Sequence, residues 1–224
     1  MYHSAAIMTP DPQHPWPVAP AGGETRVLRP HAHLFYAGDE ATHFFEILQG
    51  AVRSCKLFAD GRRQIVAFGF TGDIVGFGHG ETYRFDCDAL AETRVRVIAR
   101  SELMRAVRAR PELGERLLEI AAGEVATMQD LSILLCRKTA LERIATFLVA
   151  MAERHRGNAV GTRTPLPMGR ADIGDFLGLT IETVSRTMTR LRALRIIDLP
   201  DRGGFAVRDM AALRGVAECE EYLH

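Results

Sequence analysis

The chain has no net charge to offer a partner: its 28 basic and 28 acidic residues cancel. Any attraction to phosphate must therefore come from a local patch, not from the molecule as a whole. Long apolar runs are missing too, since none approaches the roughly 18–20 residues that a membrane-spanning helix needs. Cysteine is scarce. Cys55, Cys87, Cys136 and Cys219 stand apart in sequence, with no C-x-x-C pair of the zinc or iron–sulfur kind. That spacing excludes such a centre and leaves reduced, structural thiols as the expectation. Also absent are a nucleophile–base pairing, a phosphate-cradling glycine loop and a ligand cluster, so an enzyme is not expected. Proline is sparse beyond residue 30, because Pro10, Pro12, Pro15, Pro17, Pro20 and Pro30 all lie at or before it. Residues 1–24 accordingly read as a flexible arm. This arm has no continuous apolar core of the export-signal type, so a cytoplasmic location is expected.

What is present falls into three regions. From Thr25 to about Ser101, short strand-like runs (Phe44–Leu48, Val52–Leu57, Gln64–Phe68) alternate with turns at Gln49-Gly50, Asp60-Gly61 and Thr71-Gly72-Asp73. Asp-Gly between two such runs is a strong hairpin signal, and the regular spacing suggests a small sandwich or barrel. The period then lengthens. Leu118, Ala121, Val125, Met128, Ser132 and Leu135 recur at alternating spacings of 3 and 4, as in a coiled-coil seam. A second stripe of Leu117, Ile120, Leu131 and Leu134 lies beside it. Two stripes on one helix serve two partners: its own domain and a second copy of the chain. A homodimer is therefore expected. With Met128 at the centre and only Ser132 polar, this seam should associate without a trigger.

A further helix is expected from Thr139 to Arg154, with Leu141, Ile144, Ala145, Leu148 and Val149 inward. A loop then follows through "RHRGNAVGTRTPLP". In the last region, Ala171–Leu177 reads as a helix ended by Gly178, whose missing Cβ allows a left-handed turn. Thr180 caps the next helix. Apolar Val184, Met188 and Leu191 mark the inner face of that helix. Glu182, Ser185, Arg186 and Thr189 mark the outer face at i, i+3, i+4 and i+7. Arginine can bond guanine O6 and N7, glutamate can accept from cytosine N4, and serine or threonine can reach either base edges or phosphates. Four arginines (186, 190, 192, 195) against one acid (182) give Thr180–Arg195 a local charge of +3. Ile196–Leu199 and Phe205–Arg208 flank Arg202 like the two strands of a wing. The whole predicts a winged helix-turn-helix that enters the major groove of double-stranded DNA.

The segments "ILQGAVR", "DGRRQIVAF", "GDIVGF", "LERIATFLVAM" and "ADIGDFLGLTIETVSRTMTRL" resemble the Crp/Fnr superfamily of bacterial transcription regulators. The E-x-x-S-R motif at Glu182, Ser185 and Arg186 is similar to the reading motif of the Fnr branch, and within it the FixK type. The resemblance implies an α+β fold. A cyclic-nucleotide-binding-like β-roll would span residues 25–110, a dimerisation helix 111–137 and a winged helix-turn-helix domain 138–224. It implies TTGA…TCAA-type palindromes as targets, RNA polymerase as a second partner, and control of genes for microaerobic or anaerobic respiration, nitrogen fixation or denitrification. Carried onto these positions, Glu182, Ser185 and Arg186 read bases and Ile181 touches a thymine methyl. By position, Thr180, Thr183, Thr189, Arg190 and Arg202 are expected at phosphates.

Departures from the family pattern bear on effectors. No cysteine precedes Cys55, which argues against the iron–sulfur cluster of Fnr itself. Asp73 stands where nucleotide-binding members carry a glutamate. Asp86 and Asp88 lie where a phosphate would be received and are expected to repel it, with Arg84 nearby as a shifted remnant. His79 is the one candidate haem ligand. No cofactor is expected. The alternative is a ligand-gated sensor on the same scaffold, responding to haem, nitric oxide or a nucleotide.

Overall fold

The computed structural model describes residues 24–77, 81–155 and 161–218. His79, Cys219 and the arm up to residue 23 lie outside them. The chain divides into two compact units, the first running to Val125 and the second beginning at Ala126.

Among its described residues the first unit opens with the strands β1 (Thr25–Leu28), β2 (His33–Phe35), β3 (His43–Gln49), β4 (Ala51–Leu57), β5 (Arg63–Phe70), β6 (Ile74–Val75), β7 (Asp86–Ala89) and β8 (Thr93–Ala99). They form two antiparallel four-stranded sheets, ordered β1-β8-β3-β6 and β2-β7-β4-β5. The expected hairpin joins β4 to β5, with Gly61 at φ +83° in its turn. Apolar side chains from both sheets meet in one core, including Phe35, Phe45, Ile47, Val52, Cys87 and Val95. Tyr83 stacks on Phe35 there, with ring centroids 3.9 Å apart. Between β3 and β4 the chain turns at Gly50, φ +98°, where a Cβ would stand 2.5 Å from Thr93 Oγ1. No other residue fits that corner.

Two helices follow, α1 (Arg100–Ala109) and α2 (Pro111–Arg137). Leu103 of α1 joins Phe44, Ile74 and Ile98 in a smaller cluster, and Leu117 and Ile120 of α2 pack against it. One of the two stripes thus serves its own domain. Within the other, Leu118 is 71% exposed, Val125 55% and Met128 50%, Ser132 is exposed, and Ala121 is half-buried. Leu135 departs from this pattern. It is half-buried within its own unit, where its Cδ2 lies 3.6 Å from a Cβ built on Gly178.

The second unit takes up the end of α2 and adds α3 (Ala140–Arg154), β9 (Arg163–Pro165), α4 (Arg170–Leu177), α5 (Ile181–Ala193), β10 (Ile197–Asp198), β11 (Gly204–Val207) and α6 (Met210–Ala217). A full capping box starts α3: Thr139 Oγ1 accepts from the Glu142 amide, and Glu142 accepts from the Thr139 amide. Its buried face, with Ile144, Ala145, Leu148 and Val149 as expected and Phe147 besides, packs on α5 and α6. The stretch expected to be a loop before α4 holds a strand instead. β9 pairs antiparallel with β11, so the wing is three-stranded in the order β10-β11-β9.

Candidate nucleic-acid interface

Local chemistry sets the angle between α4 and α5. Gly178 caps α4 in the left-handed region at φ +64°, ψ +41°. Two residues later Thr180 takes an extended conformation, and its Oγ1 accepts from the Thr183 amide at 3.2 Å. A second glycine permits the close approach. A Cβ on Gly174 would stand 2.6 Å from the Leu179 carbonyl oxygen. The apolar residues on either side of the turn then close over one another. Ile173, Phe176 and Leu177 of α4 and Val184, Met188 and Leu191 of α5 are all at most 1% exposed.

Burying that face turns the opposite face of α5 outward. Ile181, Glu182, Ser185, Arg186, Thr189 and Arg190 are exposed, and Thr183 is half-buried. The residues predicted to read bases are therefore brought together on one solvent-facing surface. Glu182 stays ionised there. Its carboxyl is held below the usual range first by its own backbone amide, then by the Thr180 hydroxyl, with Arg186 adding a smaller attraction. A carboxylate at the first turn also suits the positive end of the helix dipole.

The threonines have local duties. Thr180 Oγ1 lies 3.1 Å from Thr183 Oγ1 besides capping the helix. Thr189 Oγ1 donates to the Ser185 carbonyl at 2.9 Å. In that rotamer Thr189 offers a phosphate no donor, and a phosphate oxygen can only accept. Arg202 is exposed in the turn between β10 and β11. Arg163 on β9, within the stretch expected to be a loop, reaches that turn.

In the first unit the acids of β7 are engaged. Asp88, 3% exposed, forms a two-pronged ion pair with Arg53 of β4, each N–O distance being 2.9 Å. Asp86 Oδ1 accepts from the Ala37 amide at 2.8 Å. Asp88 is thus neutralised within the fold, which corrects its expected role in repelling a phosphate. Strand alternation also puts the Arg53–Asp88 pair on the opposite face from Val52 and Cys87, which line the core. Asp73 accepts from the Phe70 amide at 2.8 Å and is buried. Arg84 is exposed. Asp73, Asp86 and Asp88 are thus each engaged within the fold.

Comparison with known proteins agrees with this geometry. The cyclic nucleotide-binding domain family matches residues 25–110, and the Crp-like helix-turn-helix domain family matches residues 142–216. The nitrogen fixation regulation protein FixK of Azorhizobium caulinodans is 41% identical over 202 residues, 89% of this chain and 82% of that protein. This chain belongs to the FixK-type branch of the Crp/Fnr superfamily. FixK of Bradyrhizobium diazoefficiens is 39% identical, covering 82% of this chain and 78% of its own length. Among solved structures, FixK2 from Bradyrhizobium japonicum superposes with a TM-score of 0.82 at 37% identity. The match covers 87% of this chain and 96% of that one. As a Crp/Fnr family member the chain is a DNA-binding transcription regulator. No helix among the described residues is long and apolar enough to cross a membrane.

Proposed function

We propose that this chain acts in the cytoplasm as a homodimer that binds TTGA…TCAA-type palindromes, engages RNA polymerase, and mainly activates genes of microaerobic or anaerobic respiration, nitrogen fixation or denitrification. The observation that carries this reading is the outward face of α5. Ile181, Glu182, Ser185 and Arg186 stand exposed together while Val184, Met188 and Leu191 anchor the helix behind them. In the proposed complex Glu182, Ser185 and Arg186 contact base edges and Ile181 a thymine methyl. Thr180, Thr183, Arg190 and Arg202 hold phosphates, which fix register without reading sequence.

The dimer rests on α2. Leu118, Val125 and Met128 lie exposed on one stripe, and covering such side chains is worth about 1.5–3 kcal/mol each. A second copy of the same helix buries them in register. The twofold axis would then present two recognition helices to a palindrome about one DNA turn apart. The stripe has no charged residue to be neutralised, so the dimer forms without an effector. Activity is then set chiefly by how much protein is made.

The decisive test is Arg186→Ala on the palindromic duplex. Each lost arginine–guanine contact costs about 1–3 kcal/mol, counted twice in a dimer, so discrimination against a scrambled site should collapse. Retention of wild-type affinity for the palindrome would refute the assignment of the reading face. Sedimentation of metal- and ligand-free protein tests the dimer, and a monomer at micromolar concentration would refute it.

A further inference from the structure

The wing turn is held from both sides. Arg163 Nε donates to Asp201 Oδ2 at 2.7 Å, while its Nη2 donates to Asp201 Oδ1 at 3.0 Å and to the Gly203 carbonyl at 2.9 Å. Asp201 Oδ1 in turn accepts from the Gly203 amide at 2.7 Å. Gly204 makes room for this arrangement. A Cβ there would stand 2.8 Å from Cζ and Nε of Arg163 and 2.9 Å from the Thr164 carbonyl oxygen. The guanidinium therefore lies close against bare backbone. Its hydrogen bonds hold the Asp201 carboxyl below the usual carboxylate range.

Arg202 sits between the two residues so anchored. Arg163 and Arg208 are paired with Asp201 and Asp198, whereas Arg202 makes no ion pair among the described residues. The charges of the wing thus cancel everywhere except at this exposed tip. An exposed ion pair contributes little to stability, so the consequence of the clamp lies in the shape of the turn.

We propose that Arg163 is a positioning residue for DNA binding. By gripping Asp201 and the Gly203 carbonyl it fixes the turn that presents Arg202 to a phosphate beside the bases under α5. It also neutralises the one acid that would otherwise stand next to that phosphate. The proposal rests on the DNA-reading role assigned above to α5.

The test is a double-mutant cycle on the full-length protein. Affinity for the palindromic duplex is measured across salt concentrations, with thermal melting in parallel. Arg202→Ala is expected to lower the slope of log affinity against log salt by roughly one unit per wing. Arg163→Ala should produce the same fall without touching DNA, and adding it to Arg202→Ala should change little. Arg163→Lys keeps the charge but loses the planar fork, so it should behave like Arg163→Ala. If Arg163→Ala does not fold, Arg163→Gln takes its place with the same expectations. Wild-type behaviour of the Arg163 variants, full additivity with Arg202→Ala, or complete rescue by lysine would each overturn the proposal. Selective binding by wild type with no change in Arg202→Ala would sink the wing contact alone. Failure of wild type to prefer the palindrome over a scrambled duplex would sink the reading of α5 instead.

Discussion

The guanidinium of Arg143, on α3, donates to the carbonyl of Leu177, the last residue of α4, at 2.9 Å. The same group donates to the carbonyls of Leu135 at 2.8 Å and Lys138 at 2.9 Å. Carbonyls at a helix C-terminus have no partner within the helix and carry the negative end of its dipole. One cation therefore finishes two helices and ties the end of α2 to the residue before Gly178.

Arg143→Ala leaves three half-buried carbonyls to find water or go without. We expect a loss of about 1–3 kcal/mol in stability. The palindrome should also be bound more weakly, because the turn feeding α5 is no longer held. Thermal unfolding and duplex binding check the two effects, and an unchanged variant would show that other donors satisfy those carbonyls.

Gly174→Val places a side chain against the Leu179 carbonyl, where even a Cβ would be 2.6 Å away. The atom in the way is backbone, so relief requires α4 and α5 to part. The expected outcome is loss of specific DNA binding and a destabilisation of at least about 1–3 kcal/mol, the usual range for overpacking. A variant that melts and binds like wild type would show that the turn opens freely.

Glu124 gives the first unit a pH dependence. Burial, helped by nearby Asp73, pushes its carboxyl up to about 7. The native state then holds a proton that the unfolded chain releases near 4.5. Stability contributed by this site is complete below that lower value and lost as pH rises through the upper one. Glu124→Gln should remove the loss. At about pH 8 it should be more stable than wild type by on the order of 1–3 kcal/mol, with the gap closing below about pH 5. Denaturant titrations at both pH values measure it, and a constant gap would exclude titration of this group as the cause.

The thiols should separate by reactivity. Cys136 is exposed, whereas Cys55 and Cys87 are buried on adjacent strands. Burial pushes the Cys87 thiol up to about 12 and raises Cys55 as well, with Asp88 adding to the rise at both. Since the thiolate is the reactive form, an alkylating reagent should label Cys136 in the native protein and leave the other two untouched until unfolding. Mass spectrometry of the labelled peptides decides it. Equal labelling of Cys87 would mean that the sheets open readily.

The helix-turn-helix was legible because its determinants are local. A glycine able to take positive φ, a threonine two residues later and a 3.6-residue apolar period suffice to place α4 and α5. The stripes of α2 were legible for the same reason, yet the period does not say where each ends. Leu135 continues the 3–4 spacing and is nonetheless half-buried in its own unit. What stayed hidden depends on distant pairing. β9 is three residues whose strand character comes from β11, some 40 positions later, as Phe205 opposite Thr164 shows. Asp88 looked like a free charge because Arg53, its partner, lies 35 positions away. Thr189 looked like a phosphate donor because a sequence does not reveal that a hydroxyl is spent on its own helix.

The Arg53–Asp88 bond sets terms for how this domain can diverge. Deleting Arg53 takes the paired cation from the buried Asp88 carboxylate, a loss of about 3–5 kcal/mol, whereas replacing both with apolar groups of similar size can cost nothing. Two sites far apart along the gene thus behave as one heritable character. Descendants must revise them in tandem or pass through a crippled ancestor.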